Sequence, residues 1–433
     1  MTAISPQRRA EIIDALRAGA VPRRGLEALA VGLDHFDRVI GEELEAVRGG
    51  GSKFKAIRGD YGGGKTFFAR WVQERAKRLG FATSEVQISE TETPLHRLET
   101  VYRRLMERLS TASMEAGALR SIVDGWFFTL EEDVLANGVD PSDSERLLTE
   151  TEHLMQSRLS RITDLSPSFA AALRGYRRAT AAGDNASADA LLSWVAGQPN
   201  VGVKFIRDAG LRGDIDHFGA LKALQGLLTM LRDGGHSGLV LVLDEVETLQ
   251  RVRGDVREKA LNALRQLLDE LPLYPGLYLL ITGTPAFFDG PQGVRRLTPL
   301  AQRLHTDFGV DHRFDNPRAP QVRLRGFDLD SLEEVGRKVR DIYADGSSAA
   351  SRITAKCDDN YVRTLATAVS GSLGGKVGVA PRLFLKKLVS DVLDRIDQFP
   401  DFDPRRHYEL TLTGAEMTDA ELGAHVDDIE LPS

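Results

Sequence analysis

The chain has 433 residues, 42% hydrophobic and 27% charged, an ordinary globular composition with apolar material for a sizeable core in two or three structural units. Its net charge of −7 lacks the basic footprint of a dedicated nucleic-acid binder, and one cysteine, Cys357, with nine histidines in no HExxH spacing, argues against a disulfide, a zinc site or a thiol nucleophile. No run reaches the roughly 18 apolar residues of a membrane span, and "MTAISPQRRAEIIDALRAG" mixes arginines and acids where a signal peptide carries an apolar core, so no membrane partner and a cytoplasmic location are expected.

From the amino terminus, apolar spacing predicts helices over residues 5–20 and 34–48, joined by the Pro/Gly-punctuated "AVPRRGLEALAVGLD". Residues 1–50 thus form a helical segment ahead of the main domain. "KFKAIRG" reads as a short strand, "KTFFARWVQERAKRL" as a helix and "FATSEVQIS" as a second strand, a βαβ unit of the kind that builds parallel sheets covered by helices. Between the first strand and its helix lies Gly59, Asp60, Tyr61, Gly62, Gly63, Gly64, Lys65, Thr66, which matches G-x-x-x-x-G-K-[ST]. Glycines there leave bare backbone, so consecutive N–H groups can close around phosphate oxygens at the positive end of a helix. Lys65 would contact the β- and γ-phosphates of ATP, and the Thr66 hydroxyl would ligate magnesium.

Residues 94 to about 200 read as a long helical insertion, broken at "NGVDPSDSE" and at "RATAAGDNASADA", a polar segment expected to be a loop or turn. Within it "DGWFFTLEED" gathers Trp126, Phe127 and Phe128, either core or an exposed partner-binding cluster. Strand signals return in "SGLVLVLDEVE" and "GLYLLITGTP", apolar runs of the kind buried on both faces. The first ends in Asp244 and Glu245, one placed to hold the magnesium shell and the next to polarise an attacking water, with Glu247 read either as a contact to the helix that follows or as a backup base. The second ends with Thr282 and Thr284, read either as phosphate sensors or as strand-end turn residues. Arg295, Arg296 and Arg303 follow, each a candidate to reach a neighbouring subunit's nucleotide or to sit in a surface ion pair. The ATPase core is taken to end near residue 325. Helical pattern then covers 326–398, interrupted by "SGSLGGKVGVAPR", after which Pro381 opens a helix with Arg382 just inside it, placed to reach nucleotide from a carboxyl-terminal lid. Residues 399–433 form a tail, and its last twenty residues hold six acids and no lysine or arginine.

The phosphate loop, the Asp244–Glu245 pair, the polar end of the next strand and Ala380-Pro381-Arg382 together resemble an AAA+ ATPase of the initiator-like, origin-recognition branch. More narrowly, "RAGAVPRRGLEALAVGLD", "IRGDYGGGKT", "LVLVLDEVETL" and "LITGTPAFFDG" resemble the ATP-binding proteins of the BREX phage-defence systems, BrxD-like, over about Ala18 to Asp394. The resemblance implies an α/β P-loop fold with a parallel sheet sandwiched by helices, adenine bordered by the segment from Val31 to Phe36, and self-assembly into an oligomer. It also implies a role against foreign DNA beside helicase-like or methyltransferase partners. The chain departs from the initiator pattern in lacking a winged-helix module after the lid. Two functions follow: an ATP-hydrolysing switch coupled to DNA or to a DNA-processing partner, or a nucleotide-gated scaffold with little hydrolysis that recruits one. A small-molecule kinase fits less well, because the Asp-Glu pair and the arginines belong to oligomeric ATPases.

Overall fold

The computed structural model describes residues 4–371 and 381–411, with backbone alone for 159 and 161–165. Ala380 and residues 412–433, the acidic end of the tail, lie outside the described residues. Five strands form one parallel sheet: β1 (Lys53–Arg58), β2 (Ala82–Gln87), β3 (Leu239–Asp244), β4 (Leu277–Gly283) and β5 (Gln321–Arg323), in the spatial order β2-β3-β4-β1-β5. Ala82 pairs with Leu239 and Gln87 with Asp244, while Leu239 pairs with Leu277 and Leu243 with Ile281. Every residue of β3 and β4 is buried, as expected of strands covered on both faces.

The helices, in chain order, begin with α1 (Pro6–Arg17), capped by Ser5 and opened by proline at its first position, α2 (Asp34–Arg48) and α3 (Lys65–Arg78). Between β2 and β3 run α4 (Leu98–Arg108), α5 (Leu119–Ala136), α6 (Ser144–Leu165), α7 (Pro167–Ala181), α8 (Asn185–Val195), α9 (Val203–Asp208) and α10 (His217–Asp233). The segment read as a loop over "RATAAGDNASADA" is helical except at Ala182, Gly183 and Asp184. Gly183 takes φ +70°, and the Asp184 carboxylate accepts the Ser187 N–H at 3.1 Å, so one capped turn reverses the chain. After β3 come α11 (Gly254–Asp269), α12 (Pro285–Asp289) and α13 (Thr298–Leu304), and after β5 come α14 (Leu329–Ala344), α15 (Ala350–Lys356), α16 (Asp359–Gly371) and α17 (Pro381–Lys387). A π-helical turn, Leu388–Leu393, leads into α18 (Asp394–Gln398). No helix among the described residues is long and apolar enough to cross a membrane.

The chain divides into two compact units. The described residues of the first fall within Met1–Ile40, Ile57–Glu74 and Thr306–Ser433, and its core joins Ile12, Ile13 and Leu16 of α1 to Leu332 and Val339 of α14, Val362 of α16 and Phe384 of α17. Gly336 permits that packing, since a Cβ there would meet Phe384 and Val362 at 2.7 Å. Cys357 is buried in this core, which pushes its thiol up to about 12.

The second unit, Gly41–Ala56 and Arg75–His305, builds its core from β2, β3 and β4 and the helices that follow β2. Trp126 and Phe127 belong to it, Trp126 donating to Asp233 at 2.7 Å, whereas Phe128 stays exposed. The same unit buries a lysine together with its counter-charge. Lys55, with no exposed side-chain surface, meets the Glu43 carboxylate at 2.7 Å, and the Tyr278 hydroxyl donates to the other Glu43 oxygen at 2.7 Å. Burial depresses the Lys55 ammonium below its usual range, and Glu43 opposes that. Removing one partner of such a pair leaves an uncompensated buried charge, so Glu43→Ala should lose about 3 kcal/mol in chemical denaturation. An exposed substitution such as Glu45→Ala should stay within about 0.5 kcal/mol.

Candidate functional site

In the first unit the glycine loop connects the end of β1 to the first residue of α3, with left-handed backbone at Gly62 (φ +74°) and Gly64 (φ +85°). Side chains are excluded at two further positions. A Cβ on Gly63 would stand 3.0 Å from the Asp60 carbonyl oxygen, and one on Gly59 would stand 3.3 Å from the Lys65 stem. The Gly63 N–H donates to the Asp60 oxygen at 3.0 Å, closing the loop, and the Lys65 ammonium folds over it to donate to the carbonyls of Gly59 (3.0 Å) and Asp60 (3.1 Å). Tyr61 is partly exposed, its ring centre 5.1 Å from the Lys65 ammonium. Thr66 is the second residue of α3, in the turn where helical N–H groups favour anions.

Val31 packs with Phe67 of α3 against the core of the same unit, and Phe36 meets Phe68 edge-on at 5.0 Å between ring centres. Three residues not singled out in the sequence hold this segment. The Glu74 carboxylate accepts the N–H groups of Gly25 (2.7 Å) and Leu26 (2.8 Å), Arg70 donates to the Val21 carbonyl at 2.8 Å, and Lys338 of α14 donates to the Ala30 carbonyl at 2.6 Å. Arg382, second residue of α17, lies against Gly19, where a Cβ would meet its guanidinium at 3.2 Å.

The acid pair sits in the second unit. Because β3 and β4 are parallel and in register, Asp244 and Thr282 emerge side by side. The Thr282 hydroxyl, fully buried, donates to Asp244 Oδ1 and accepts the Glu245 N–H at 3.1 Å, so one hydroxyl holds the Asp244 carboxylate and the Glu245 backbone. Glu245 has φ +60° and ψ +43°; of the described non-glycine residues only Asn200 also has positive φ. A left-handed glutamate is held there by its neighbours: the Thr248 hydroxyl donates to its carbonyl at 3.0 Å, and Gln87 Nε2 donates to its carboxylate at 2.8 Å. Gln87 was not singled out, although a polar residue ending the strand directly opposite Asp244 is the signal that could have found it. Glu247 is buried, whereas Glu245 is partly exposed. Thr284 is buried at the start of α12 and caps nothing with its side chain. Arg295 and Arg296 are exposed, and Arg303 of α13 is paired with Asp269 at 2.5 Å.

Thr66 in the first unit and Asp244 in the second are each oxygen donors, the ligand chemistry that a hard cation such as magnesium takes. No group of three or more His, Cys, Asp or Glu side chains among the described residues could hold a metal alone.

A parallel sheet with a glycine-rich phosphate loop after its first strand defines a P-loop nucleotide-binding protein. Residues 4–412 match the family model described as BREX system ATP-binding protein BrxC/D, and the chain belongs to that family: it is an ATP-binding protein of BREX defence. No curated protein and no solved structure matched the chain.

The left-handed backbone at Glu245 has a measurable cost. A Cβ in that conformation is disfavoured by about 1 kcal/mol relative to glycine. Glu245→Gly should therefore unfold at higher denaturant than Glu245→Ala by that margin, although both lack the carboxylate.

Proposed function

We propose that this protein is a magnesium-dependent ATPase of AAA+ type that acts as an oligomeric switch coupled to DNA or to a DNA-processing partner such as a helicase. The observation that carries hydrolysis is the Thr282 hydroxyl fixing both Asp244 and Glu245, with Glu245 kept in a strained backbone conformation. A protein that only holds nucleotide has no use for a second, separately oriented carboxylate.

In this reading the backbone of Gly59 to Gly64 cradles the phosphates, Lys65 neutralises the β- and γ-phosphates, and Val31 borders the adenine. Magnesium, held by Thr66 and Asp244, would supply positive charge to the phosphate oxygens. Glu245 takes a proton from water as its oxygen attacks the γ-phosphorus, and the bond to the β,γ-bridging oxygen breaks to release ADP. Thr282 keeps the acids in register, and Arg382 and Arg303 stabilise charge developing on the γ-phosphoryl group, one from the lid and the other from a neighbouring subunit. The Gln87–Glu245 hydrogen bond favours a gated enzyme, since the amide occupies a carboxylate oxygen that an attacking water would need and must release it first. The scaffold reading predicts tight ATP binding with no turnover under any condition.

Turnover measured alone, with single-stranded DNA and with duplex DNA separates the two. Lys65→Ala should abolish ATP binding. Glu245→Gln should retain binding and lower kcat at least 100-fold; hydrolysis at the parent rate would remove Glu245 from the role of base. Thr282→Val should lower kcat about tenfold or more with little change in KM, and Thr282→Ser should restore most of it, because serine keeps the hydroxyl.

A further inference from the structure

The insertion contains a cavity of about 300 Å³ between α6 and α7, apart from every residue assigned to ATP. Leu148, Thr151, Glu152 and Met155 line one wall and Arg174, Arg177, Arg178 and Ala181 the other. Each set follows i, i+3, i+4, i+7 spacing, so each is the face that one helix turns toward its neighbour. Two facing helical stripes normally interdigitate apolar side chains. Here one carries three arginines, and the space between them is left open.

Two polar atoms in this cavity wall are buried without a hydrogen-bond partner: the Thr151 hydroxyl oxygen and Arg177 Nε. Thr151 is 2% exposed. A helical threonine ordinarily donates to the carbonyl four residues back, as Thr149 of the same helix does to Glu145 at 2.9 Å and Thr180 of α7 does to Tyr176 at 2.9 Å. Thr151 makes no such bond and borders the cavity instead. The arginines are only partly neutralised. Arg177 pairs with Glu131 and Arg178 with Glu152 at 2.6 Å, while Arg174 has no ion pair among the described residues. Burial also holds the Arg177 guanidinium below its ordinary value, as expected of a cation taken from water without full compensation.

We propose that this cavity binds a small phosphorylated ligand with a flat aromatic ring, of the nucleoside monophosphate class, at a site separate from that of ATP. Guanidinium groups match phosphate oxygens in pairs and stack on planar rings. Leu148, Met155 and Ala181 supply the apolar wall, the Thr151 hydroxyl gives a hydrogen bond to phosphate or ribose, and the volume sits at the lower end for small-ligand pockets. Ligand in this cavity would tie α6 to α7 and so report on the insertion rather than on the phosphate loop.

The test is calorimetric titration of the full-length Lys65→Ala protein, in which the phosphate loop is disabled, with AMP, GMP, CMP and UMP, and with inorganic phosphate and decanoate as references. At least one mononucleotide should bind, more tightly than either reference. Arg174→Ala and Thr151→Val should each weaken it at least tenfold. Ala181→Trp, a substitution at an exposed position that tolerates bulk, should block it, and all three should unfold at denaturant concentrations near that of the parent. Binding of none of the four, binding unaffected by these substitutions, or equal or tighter binding of phosphate or decanoate would each overturn the assignment. ATP turnover of the same three substitutions in the Lys65 background is a separate readout and should match the parent without added mononucleotide.

Discussion

Burial of β3 and β4 along their whole length is the constraint from which the chemistry follows. A strand covered on both faces offers no place for a polar side chain until its last residue, so polar groups concentrate at the carboxyl ends. Parallel register then decides which of them meet. Leu243 lies opposite Ile281, the next pair is Asp244 beside Thr282, and Gln87 lies one strand away in the same row. Three residues far apart in sequence become neighbours because of strand alignment, and a single hydroxyl holds the carboxylate of one acid and the backbone of the next. The strained backbone of Glu245 belongs to the same logic. Its amide must turn toward Thr282 as the chain leaves the strand, and the hydrogen bonds from Thr248 and Gln87 offset a conformation that glutamate alone would avoid.

The first unit solves a different problem, which is to present bare backbone without letting it collapse. Glycine is required at Gly62 and Gly64 by the sign of φ and at Gly63 by the closeness of a carbonyl. That freedom costs entropy, and the loop is restrained by two donations from the Lys65 ammonium to its own carbonyls. The same ammonium that orders the loop carries the positive charge beside its backbone N–H groups. Farther along α3, Glu74 and Arg70 hold the segment between Val21 and Leu26, and Lys338 of α14 holds Ala30. Charged side chains bonded to backbone thus carry the strand-poor stretch that leads to Val31.

The glycine loop and the Asp-Glu pair were legible in the sequence because each is a contiguous string whose chemistry is local. Four strands were legible because their apolar runs are continuous. β5 was not, since three residues beside a proline give no alternation to read. The turn at Gly183 and Asp184 was read too broadly, because alanine, serine and aspartate look like a loop until Asp184 is seen capping the next helix. Glu74, Arg70 and Lys338 were invisible for a shared reason. Each acts on a backbone group distant in sequence, and nothing in the identity of a lone glutamate, arginine or lysine announces its partner.

The arginines show how far geometry constrains a role and where energetics must take over. Arg303 is half exposed and shares Asp269 with Arg265, which meets the same carboxylate at 2.9 Å. Solvent-exposed pairs of this kind contribute at most about 1 kcal/mol. If Arg303 left Asp269, Arg265 would still hold the other carboxylate oxygen at 2.9 Å. A buried arginine with several fixed bonds behaves otherwise. Arg257 donates to the carbonyls of Leu249, Gln250 and Val252 and to Gln292, and it is committed to holding the turn that follows the acid pair. Of the two, only Arg303 has the weak, replaceable partner that a residue reaching toward a neighbouring nucleotide needs.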